Sequence, residues 1–334
     1  MKALITGGAG FAGSHLAEHL LSENCDLTLI ARPEESLGGI DHLLPQVRLE
    51  RADLRDFARV RQILAEVRPR RIYHLAAFSS VVESFQHPRD CYEVNLGGSL
   101  NLLESWRDLG FEARLLLVSS SDVYGHVSEV DLPLREESAL RPASPYAGSK
   151  AAAEFLALQF WLSYGLPVVR VRPFHHTGPR QSPAFVCSSL ARQVAEIVCG
   201  LRPAVISVGN PDVGRDFSDV RDIVRGYALL IERGRAGEVY QLCSGQAVTV
   251  GLLIQWLAAA VPIPIDVRVD AARVRTGEPA VIWGDATKVR AETPWLPQYE
   301  LRETLSDLEA YWEKQIRDGR VPKLEHPTIG RVGL

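Results

Sequence analysis

The sequence predicts an α/β protein with a doubly wound parallel sheet and a smaller, mixed α/β lobe in its C-terminal part. Three observations support this class. Short apolar runs alternate, up to about Pro173, with segments that carry apolar residues at helical spacing. A glycine-rich turn follows the first apolar run. Beyond Pro173 the alternation loosens, and prolines and glycines interrupt it.

The strands of the predicted sheet are short apolar runs bounded by polar residues. In chain order they are "ALITG", "DLTLI", "VRLERAD", "RIYHLAA", "RLLLVSS" and "PVVRVRP". The clearest helices between them are "DFARVRQILAEV", "GGSLNLLESWRDLG" and "AGSKAAAEFLALQFWLSYG". Because strands that alternate with helices form βαβ units, we expect these strands to be parallel.

Two domains follow from this pattern. Residues 1–173 form the sheet domain, and residues 217–244, where a helix is again followed by a strand, return to it. Residues 174–216 and 245–334 form the smaller lobe.

Composition excludes several classes of partner. A net charge of -4 over 334 residues provides no basic field for nucleic acid. No apolar run approaches the roughly 18 residues that a membrane span needs, and the first residues run directly into a strand, which leaves no room for a leader peptide. Five cysteines without CxxC spacing suit reduced thiols. We therefore expect a cytoplasmic protein.

Glycines at three-residue spacing open the first predicted helix. Gly7, Gly10 and Gly13 follow the first strand directly, in "TGGAGFAGSHLAEHLL". Such glycines permit a tight turn and let a pyrophosphate approach the backbone N–H groups at the helix N-terminus. The sequence therefore predicts a Rossmann-type fold that binds a dinucleotide.

The end of the second strand indicates which dinucleotide binds. Proteins that bind NAD usually carry an acidic residue about 20 residues beyond the glycines, where it accepts a hydrogen bond from the ribose 2′-hydroxyl. Arg32 occupies this position, in "LTLIARPEES". Because a guanidinium pairs with a 2′-phosphate, Arg32 favours NADP(H). A solvated surface arginine is the alternative.

Further cofactor contacts are expected along the same edge of the sheet. Asp53, in "RADLRD" after the third strand, is placed to face the adenine ring, and a helix N-cap role for Asp53 or Asp56 is the alternative. The other predicted cofactor residues lie beside the glycine turn or after the third and fourth strands: Phe11, Leu54, Leu75, Ala76 and Ala77.

Two neighbouring motifs predict the chemistry. Polar residues 119–125, "SSSDVYG", follow the apolar strand "RLLLV", where ligands bind in open α/β sheets. In "YAGSK", Tyr146 and Lys150 lie four residues apart and hence on one face of a helix. A neighbouring ammonium lowers the pKa of a phenol, so this pair predicts a proton donor or acceptor near neutral pH.

This combination of motifs resembles the extended short-chain dehydrogenase/reductase superfamily, whose members act on nucleotide sugars, over nearly the whole chain. The stretches "RPFHHTGPRQ", "GNPDVGRDFSDVRDIV", "GEVYQLCSG" and "RTGEPAVIWGDATK" resemble the subfamily that holds GDP-mannose 4,6-dehydratases and GDP-4-keto-6-deoxy-D-mannose reductases. The stretch "SSSDVYGHVSEVDLPLREES" is most similar to the reductases. The resemblance implies that residues 1–173 bind NADP(H) and that the smaller lobe binds the nucleotide sugar.

The resemblance also implies roles for individual residues. Ser120 would hydrogen-bond the sugar O4, Tyr146 would pass a proton to or from it, and Lys150 would hold the nicotinamide ribose. Ser121 and Asp122 would complete the catalytic set. The implied substrate-binding residues are Asn95, His175, Arg180, Arg215, Arg275 and Glu278.

The alternatives to these substrate roles are structural. Arg215 and Arg275 match arginines that hold the diphosphate, and Glu278 matches an acid that contacts the nucleoside ribose; exposed salt bridges are the alternative for the arginines. A hydrogen bond internal to its helix is the alternative for Asn95. His175 replaces the usual asparagine of "RPFN", and a neutral imidazole retains one hydrogen bond for a phosphate.

The residues after the fifth strand favour reduction over dehydration. Dehydratases of this superfamily carry threonine, a polar residue and glutamate at the positions of Ser120, Ser121 and Asp122, and their glutamate removes the C5 proton. Asp122 is one methylene shorter, and a misplacement of about 1 Å can cost on the order of 100-fold in rate. Reduction of a C4 ketone needs no such base. Dehydration and C4 epimerisation remain alternatives, as do a redox sensor that binds NADP and a sugar-nucleotide binding protein.

Three further expectations complete the prediction. The helix that carries Tyr146 and Lys150 commonly packs against its mate in this superfamily, which predicts a homodimer. "HLAEH", at His15, Glu18 and His19, matches an inverted zinc-protease pattern but lies in the helix after the glycine turn, so we expect no metal site. His74 is expected to be a residue of a strand end rather than an acid.

Overall fold

The computed structural model describes residues 1–274 and 279–321. Its strands are β1 (Lys2–Thr6), β2 (Asp26–Ala31), β3 (Arg48–Arg51), β4 (Arg71–His74), β5 (Arg114–Val118), β6 (Val168–Pro173), β7 (His175–Thr177), β8 (Val205–Val208), β9 (Gly214–Asp219), β10 (Val239–Leu242), β11 (Ala247–Thr249), β12 (Asp266–Val269) and β13 (Val281–Ile282). Its α-helices are α1 (Phe11–Ser22), α2 (Phe57–Val67), α3 (Val81–Gln86), α4 (Pro88–Tyr92), α5 (Gly98–Leu109), α6 (Pro145–Tyr164), α7 (Val186–Val198), α8 (Val220–Arg233), α9 (Val250–Ala259), α10 (Thr287–Glu292) and α11 (Leu301–Arg317).

Seven strands form the main sheet in the order β3, β2, β1, β4, β5, β6, β10. Every neighbouring pair in this sheet is parallel. The strand order reverses between β1 and β4, which is the switch point of a doubly wound fold. The predicted fold class is therefore confirmed.

Helices cover both faces of the main sheet, so its strands are apolar on both sides. Leu4 and Ile5 are adjacent on β1 and point to opposite faces, because side chains alternate along a strand. Ile5 belongs to a buried cluster that includes Leu16 of α1, whereas Leu4 belongs to a second cluster that includes Ile63 of α2 and Leu102 of α5.

The smaller lobe is built around β9. Strand β9 pairs with β7, β11 and β13, and a separate parallel pair joins β8 to β12. Helices α7, α9 and α11 contribute to a third buried cluster there. The predicted return to the main sheet at residue 217 falls inside β9, which pairs within the lobe. The first element on the main sheet is α8, and β10 is the strand that joins the edge of that sheet.

Among the helices of residues 1–274 and 279–321, none has the length and apolarity that a bilayer crossing requires.

Candidate active site

The carboxyl ends of β1, β4 and β5 meet at the switch point of the main sheet, where open α/β folds bind ligands. Three segments leave the sheet there: the glycine turn at residues 7–10, the loop that begins at residue 75, and the polar residues 119–125. Helix α6 packs beside the third segment and carries Tyr146 and Lys150. The topology thus brings the predicted catalytic and cofactor residues to one edge.

The glycine turn is sterically closed to larger side chains. Gly7 has a φ of +71°, and a Cβ on Gly7 would lie 2.9 Å from the backbone of Ala76. A Cβ on Gly13 would lie 2.0 Å from the carbonyl oxygen of Gly7. No side chain caps the start of α1, where Gly10 is the N-cap residue. Helix N-termini of this kind bind anions, and these residues therefore fit the pyrophosphate of a dinucleotide.

Arg32 lies exposed at the end of β2, beside two residues that the sequence interpretation did not select. The carboxylate of Glu35 accepts a hydrogen bond from the backbone N–H of Arg32 at 3.1 Å. The guanidinium of Arg51, at the end of β3, donates to the carbonyl oxygens of Arg32 at 2.6 Å and Glu35 at 2.8 Å. Parallel pairing of β2 and β3 brings these residues together, and no local sequence motif predicts that Arg51 contacts this turn.

The two aspartates after β3 have different structural roles. Asp53 accepts from the backbone N–H of Arg55 at 2.9 Å and holds the Arg55 guanidinium with both carboxylate oxygens. Hydrogen bonding from Arg55 lowers the pKa of Asp53 below its ordinary value, against a smaller effect of burial. Asp56 is the N-cap of α2 and accepts from the N–H of Arg59 at 3.0 Å. The cap role thus belongs to Asp56.

The remaining predicted cofactor residues line the same edge. Leu54 is buried, and Phe11, Leu75, Ala76 and Ala77 are partly buried. The backbone N–H of Ala76 donates to the hydroxyl of Thr6 at 3.2 Å, which fixes the loop after β4 to the end of β1.

The polar segment after β5 forms a short 3₁₀ turn at Ser121–Tyr124. The hydroxyl of Ser120 accepts from the backbone N–H of Asp122 at 3.1 Å and so caps this turn. Ser121 is buried, whereas Ser120 and Asp122 are partly buried. Helix α6 begins opposite this turn because Ser144 caps it through the N–H of Ala147 at 3.1 Å.

The electrostatic environment of Tyr146 differs from the expectation. Burial raises the pKa of the phenol well above its ordinary value; the Asp122 carboxylate adds to the rise, and the Ser120 hydroxyl opposes it. The predicted lowering by Lys150 does not appear among the effects on this phenol, and the Lys150 ammonium donates to the carbonyl oxygen of Val118 at 2.6 Å. Tyr146 is therefore a protonated phenol at neutral pH, beside a hydroxyl and a carboxylate.

Lys150 is buried beneath the catalytic edge. Burial lowers the pKa of its ammonium to about 8, and Cys91 and Glu154 act in the opposite direction. The amine is thus mostly protonated at neutral pH and titrates close to it.

Asn95, predicted to bind substrate, has its side-chain amide engaged within the protein. Its side chain is buried, and Oδ1 accepts from the N–H of Phe78 at 2.7 Å. Its Nδ2 donates to the carbonyl of Phe78 at 3.2 Å and to the hydroxyl of Ser149 at 2.8 Å. Ser149 in turn donates to the carbonyl of Tyr146 at 2.8 Å. Asn95 therefore ties α6 to the loop after β4.

A buried ion cluster next to the predicted catalytic residues was not predicted from the sequence. Glu154, which is fully buried, accepts from Arg172 Nη2 at 2.6 Å and Nε at 3.0 Å, and from Arg170 at 3.4 Å. Arg172 also donates to the hydroxyl of Tyr124 at 2.9 Å. The cluster joins α6 to the turn after β5. Its available signals were a glutamate one helical turn after Lys150 and two arginines within the apolar strand "VVRVRP".

His74 is a buried residue of the strand end, as expected. Its Nδ1 lies 2.7 Å from the hydroxyl of Thr6, and its Nε2 lies 2.8 Å from the hydroxyl of Ser99. Burial, with a smaller contribution from the Lys150 charge, lowers the pKa of His74 to about 3. The imidazole is therefore neutral and engaged, and it does not act as an acid.

Arg180, predicted to bind substrate, has its guanidinium paired within the protein. Its guanidinium holds both carboxylate oxygens of Glu18 on α1, at 2.5 and 2.7 Å. The neighbouring carbonyl of Pro179 accepts from His15 Nε2 at 2.9 Å. Since both arms of the fork are engaged, Arg180 fastens the loop after β7 to α1.

The predicted substrate residues of the lobe lie on adjacent strands. His175 is on β7, with its ring centroid 5.7 Å from that of Phe217 on β9. Arg215, also on β9, is buried and donates to the carbonyl of Pro279 at 3.0 Å. Arg275 and Glu278 lie outside the described residues.

The residues of the zinc-protease pattern have other partners. Glu18 pairs with Arg180, His15 with Pro179, and His19 lies 3.4 Å from Glu23. Within residues 1–274 and 279–321, no group of three or more potential metal-ligating side chains comes together.

Comparisons with known proteins agree with this arrangement. The chain matches the family model described as GDP-mannose 4,6 dehydratase over residues 4–308. It is 35% identical to GDP-6-deoxy-D-mannose reductase of Pseudomonas aeruginosa over 317 residues, which cover 95% of this chain and 99% of the reductase. It is 30% identical to GDP-mannose 4,6-dehydratase of Yersinia enterocolitica, with 92% of this chain and 93% of that protein covered.

A solved structure of RMD from Pseudomonas aeruginosa complexed with NADPH superposes with a TM-score of 0.84 at 35% identity. The match covers 94% of this chain and 99% of that chain.

Proposed function

The chain belongs to the GDP-mannose 4,6-dehydratase family, and from this premise we propose that it is an NADP-dependent oxidoreductase. Its reaction is the reduction of the C4 ketone of a nucleotide-linked 4-keto-6-deoxy sugar. The substrate that the comparisons favour is GDP-4-keto-6-deoxy-D-mannose, and the product is GDP-6-deoxy-D-mannose.

The observation that carries the proposal is the position of the Tyr146 phenol, on α6, beside the Ser120 hydroxyl and the Asp122 carboxylate of the turn after β5. A ketone that accepts a hydride becomes an alkoxide and needs one proton. The phenol holds that proton at neutral pH, and the alkoxide that forms is a strong enough base to take it. The partly buried Ser120 hydroxyl beside Tyr146 can donate a hydrogen bond to the same sugar oxygen.

The residues divide the work of reduction among them. When bound, NADPH supplies the hydride for the C4 carbon. Tyr146 then donates its phenolic proton to the C4 oxygen, so that the ketone becomes an alcohol. Ser120 fixes the orientation of that oxygen, and the Lys150 ammonium, held at the carbonyl of Val118, orients the nicotinamide ribose.

The glycine turn and Arg32 would bind the rest of the cofactor. The turn offers the uncapped start of α1 to the pyrophosphate, and the exposed guanidinium of Arg32 suits a 2′-phosphate. Ala76 and Ala77 follow β4, on the other side of β1 from Arg32, and Ala76 lies against Gly7 of the turn.

For the nucleotide sugar, we assign the diphosphate to the lobe. His175 and Arg215 lie on the paired strands β7 and β9, and Arg275 and Glu278 follow in sequence. An arginine and an imidazole can share the diphosphate oxygens, since charge-assisted hydrogen bonds bind phosphates well.

Dehydration of a GDP-hexose is the second candidate, and one observation favours it. The carboxylate of Asp122 lies close enough to Tyr146 for its charge to raise the pKa of the phenol. A carboxylate in that position can remove a C5 proton if the substrate places C5 against it.

One experiment separates the two reactions. Purified protein is supplied with NADPH and GDP-4-keto-6-deoxy-D-mannose, cofactor oxidation is followed by absorbance, and the product is identified by NMR. The proposal expects stoichiometric oxidation of NADPH and a 4-hydroxy-6-deoxy sugar. No oxidation, together with conversion of GDP-mannose to a 4-keto-6-deoxy sugar without net cofactor use, would instead establish the dehydratase.

We also propose that the protein is a cytoplasmic homodimer that associates through the outer face of α6. Phe155 and Leu162 lie two turns apart on that face and are 55% and 72% exposed. In sedimentation velocity, the wild-type chain should be a dimer, and the double variant Phe155→Glu/Leu162→Glu should be a monomer. A monomeric wild type would refute the proposed dimer.

The cysteines support the proposed cytoplasmic location. They are unpaired, with Cys25, Cys91, Cys187 and Cys243 buried, which suits a reducing compartment.

A further inference from the structure

We propose that the carboxylate of Glu35 limits the preference of this site for NADPH and allows NADH to bind as well. This inference rests on the proposed function, because it concerns the cofactor of that reaction. It assigns a specificity role to a residue three positions beyond Arg32, which the sequence motifs did not select.

The position of Glu35 places a negative charge next to the glycine turn. One carboxylate oxygen, Oε1, lies 3.9 Å from the point where a Cβ on Gly10 would stand. The other, Oε2, accepts from the backbone N–H of Arg32 at 3.1 Å. The backbone N–H of Glu35 returns a bond to the Arg32 carbonyl at 3.2 Å, so the chain folds back and brings the carboxylate over the turn.

The backbone around Glu35 is held by a residue from the next strand. Arg51 donates to the carbonyl oxygens of both Arg32 and Glu35. These bonds fix where the turn lies relative to β2 and β3, so the Glu35 carboxylate keeps its place at the backbone N–H of Arg32 rather than moving freely in solvent.

The negative charge of Glu35 is not offset by an ion pair, unlike that of Asp53, the other nearby carboxylate. Asp53 is held by the guanidinium of Arg55 through both oxygens, which offsets its charge. In the part of the chain that the structure describes, Glu35 has no ion pair with an arginine or lysine side chain within 4 Å. We call the part of the site around Arg32 and Glu35, where the adenosine ribose of the cofactor would bind, the adenosine end. It therefore presents both an arginine and a carboxylate without an ion-pair partner.

These two groups act oppositely on the two cofactors. The 2′-phosphate of NADPH carries negative charge, which Arg32 attracts and Glu35 repels. The ribose of NADH has a 2′-hydroxyl in its place, and a carboxylate accepts a hydrogen bond from that hydroxyl. Removal of the Glu35 charge should therefore strengthen NADPH binding and weaken NADH binding.

The test measures cofactor binding without sugar substrate. Dissociation constants of NADPH and NADH are determined by fluorescence titration for the wild type, Glu35→Gln, Glu34→Gln and Arg32→Gln. Glutamine retains an oxygen that can accept from the Arg32 N–H, so Glu35→Gln removes the charge and keeps the turn. Glu34→Gln is the matched control, because Glu34 is exposed and adjacent and loses the same charge.

We expect Glu35→Gln to raise the ratio of NADPH affinity to NADH affinity by about fivefold. Glu34→Gln should change the ratio less than about twofold, and Arg32→Gln should lower it. An unchanged affinity ratio in Glu35→Gln, or an equal change in Glu34→Gln, would overturn the assignment of Glu35. As long as the wild type binds NADPH, that result would leave the proposed function intact. A wild type that binds neither cofactor would refute both.

Discussion

The two ends of the candidate site lie on one edge of one sheet, yet they are built differently. At the catalytic end, Lys150 and Glu154 are buried, and their polar atoms contact other parts of the protein. At the adenosine end, Arg32 is exposed and Glu35 is only partly buried. Buried contacts between elements hold the first end, and a short turn tied by Arg51 holds the second.

This difference determines how substitutions at each end affect the protein. Burial shifts pKa values and fixes proton donors, so the catalytic end depends on the core for its chemistry. Exposed charges act through water and are screened, so changes at the adenosine end alter cofactor preference by modest factors. Substitutions at the catalytic end should therefore have large effects on rate or stability, and substitutions at the other end should not.

The largest effect is expected for Tyr146→Phe. Loss of the phenolic proton donor should lower kcat by about 10³-fold, within the range of general acid catalysis, and leave NADPH affinity within about twofold. Stopped-flow oxidation of NADPH and fluorescence titration measure the two quantities. Retained turnover in Tyr146→Phe would show that another group donates the proton.

Glu154→Gln should also have a large effect, but on the stability of the fold rather than on the catalytic rate. Removal of this charge leaves Arg172 and Arg170 buried without their counter-ion, which should lower the free energy of unfolding by about 3–5 kcal/mol. Urea denaturation measures the change. The control is Glu112→Gln, because Glu112 is 87% exposed and should cost less than about 0.5 kcal/mol. Equal costs in the two variants would refute the role of the buried cluster.

Asn95→Ala should lower kcat by about 10- to 100-fold, with KM for the sugar nucleotide nearly unchanged. Asn95 contacts Phe78 and Ser149 rather than the substrate site, so its loss misplaces α6 by a fraction of an ångström to about an ångström. Steady-state kinetics separates the two parameters. A raised KM with unchanged kcat would restore Asn95 as a substrate-binding residue.

The pKa of Lys150 predicts a pH dependence. With the ammonium titrating at about 8, kcat/KM should fall above that pH, by up to about tenfold per unit. Stability should move in the opposite direction: the unfolded lysine, with its pKa near 10.5, binds a proton between about pH 8 and 10.5 that the folded lysine has lost. Lys150 therefore raises the free energy of unfolding as pH increases through that window. A flat rate profile to pH 10 would contradict the assignment.

The smallest effect is expected for Arg51→Gln at the adenosine end. Two hydrogen bonds to backbone carbonyls are weakened at a partly exposed position, which should lower the free energy of unfolding by about 1 kcal/mol. Thermal unfolding of Arg51→Gln and Glu154→Gln, measured side by side, compares the two losses of stability. A loss as large as that of Glu154→Gln would mean that the two ends are held equally firmly.

The family resemblance and the fold class were predictable because both depend on local signals. The glycine spacing, the alternation of strands and helices, and the Tyr146/Lys150 spacing are read within short stretches, and the family match over residues 4–308 confirmed the resemblance. The partners of Arg180 and Asn95 were not predictable, because Glu18 lies far away in sequence and Phe78 lies across a loop. The pKa of Tyr146 was predicted in the wrong direction, because burial of the phenol and the charge of Asp122 both raise it.

Short stretches of the sequence predict the sheet, the glycine turn and the proposed catalytic residue types, since periodicity, backbone freedom and helical spacing are properties of neighbouring residues. Which charges meet depends on long-range packing. Pairing of β2 with β3 set Arg51 against the turn that carries Glu35, and packing of α6 on β6 buried Glu154 between two arginines. The physical reason is that charge interactions depend on distance and burial, which only the folded chain fixes.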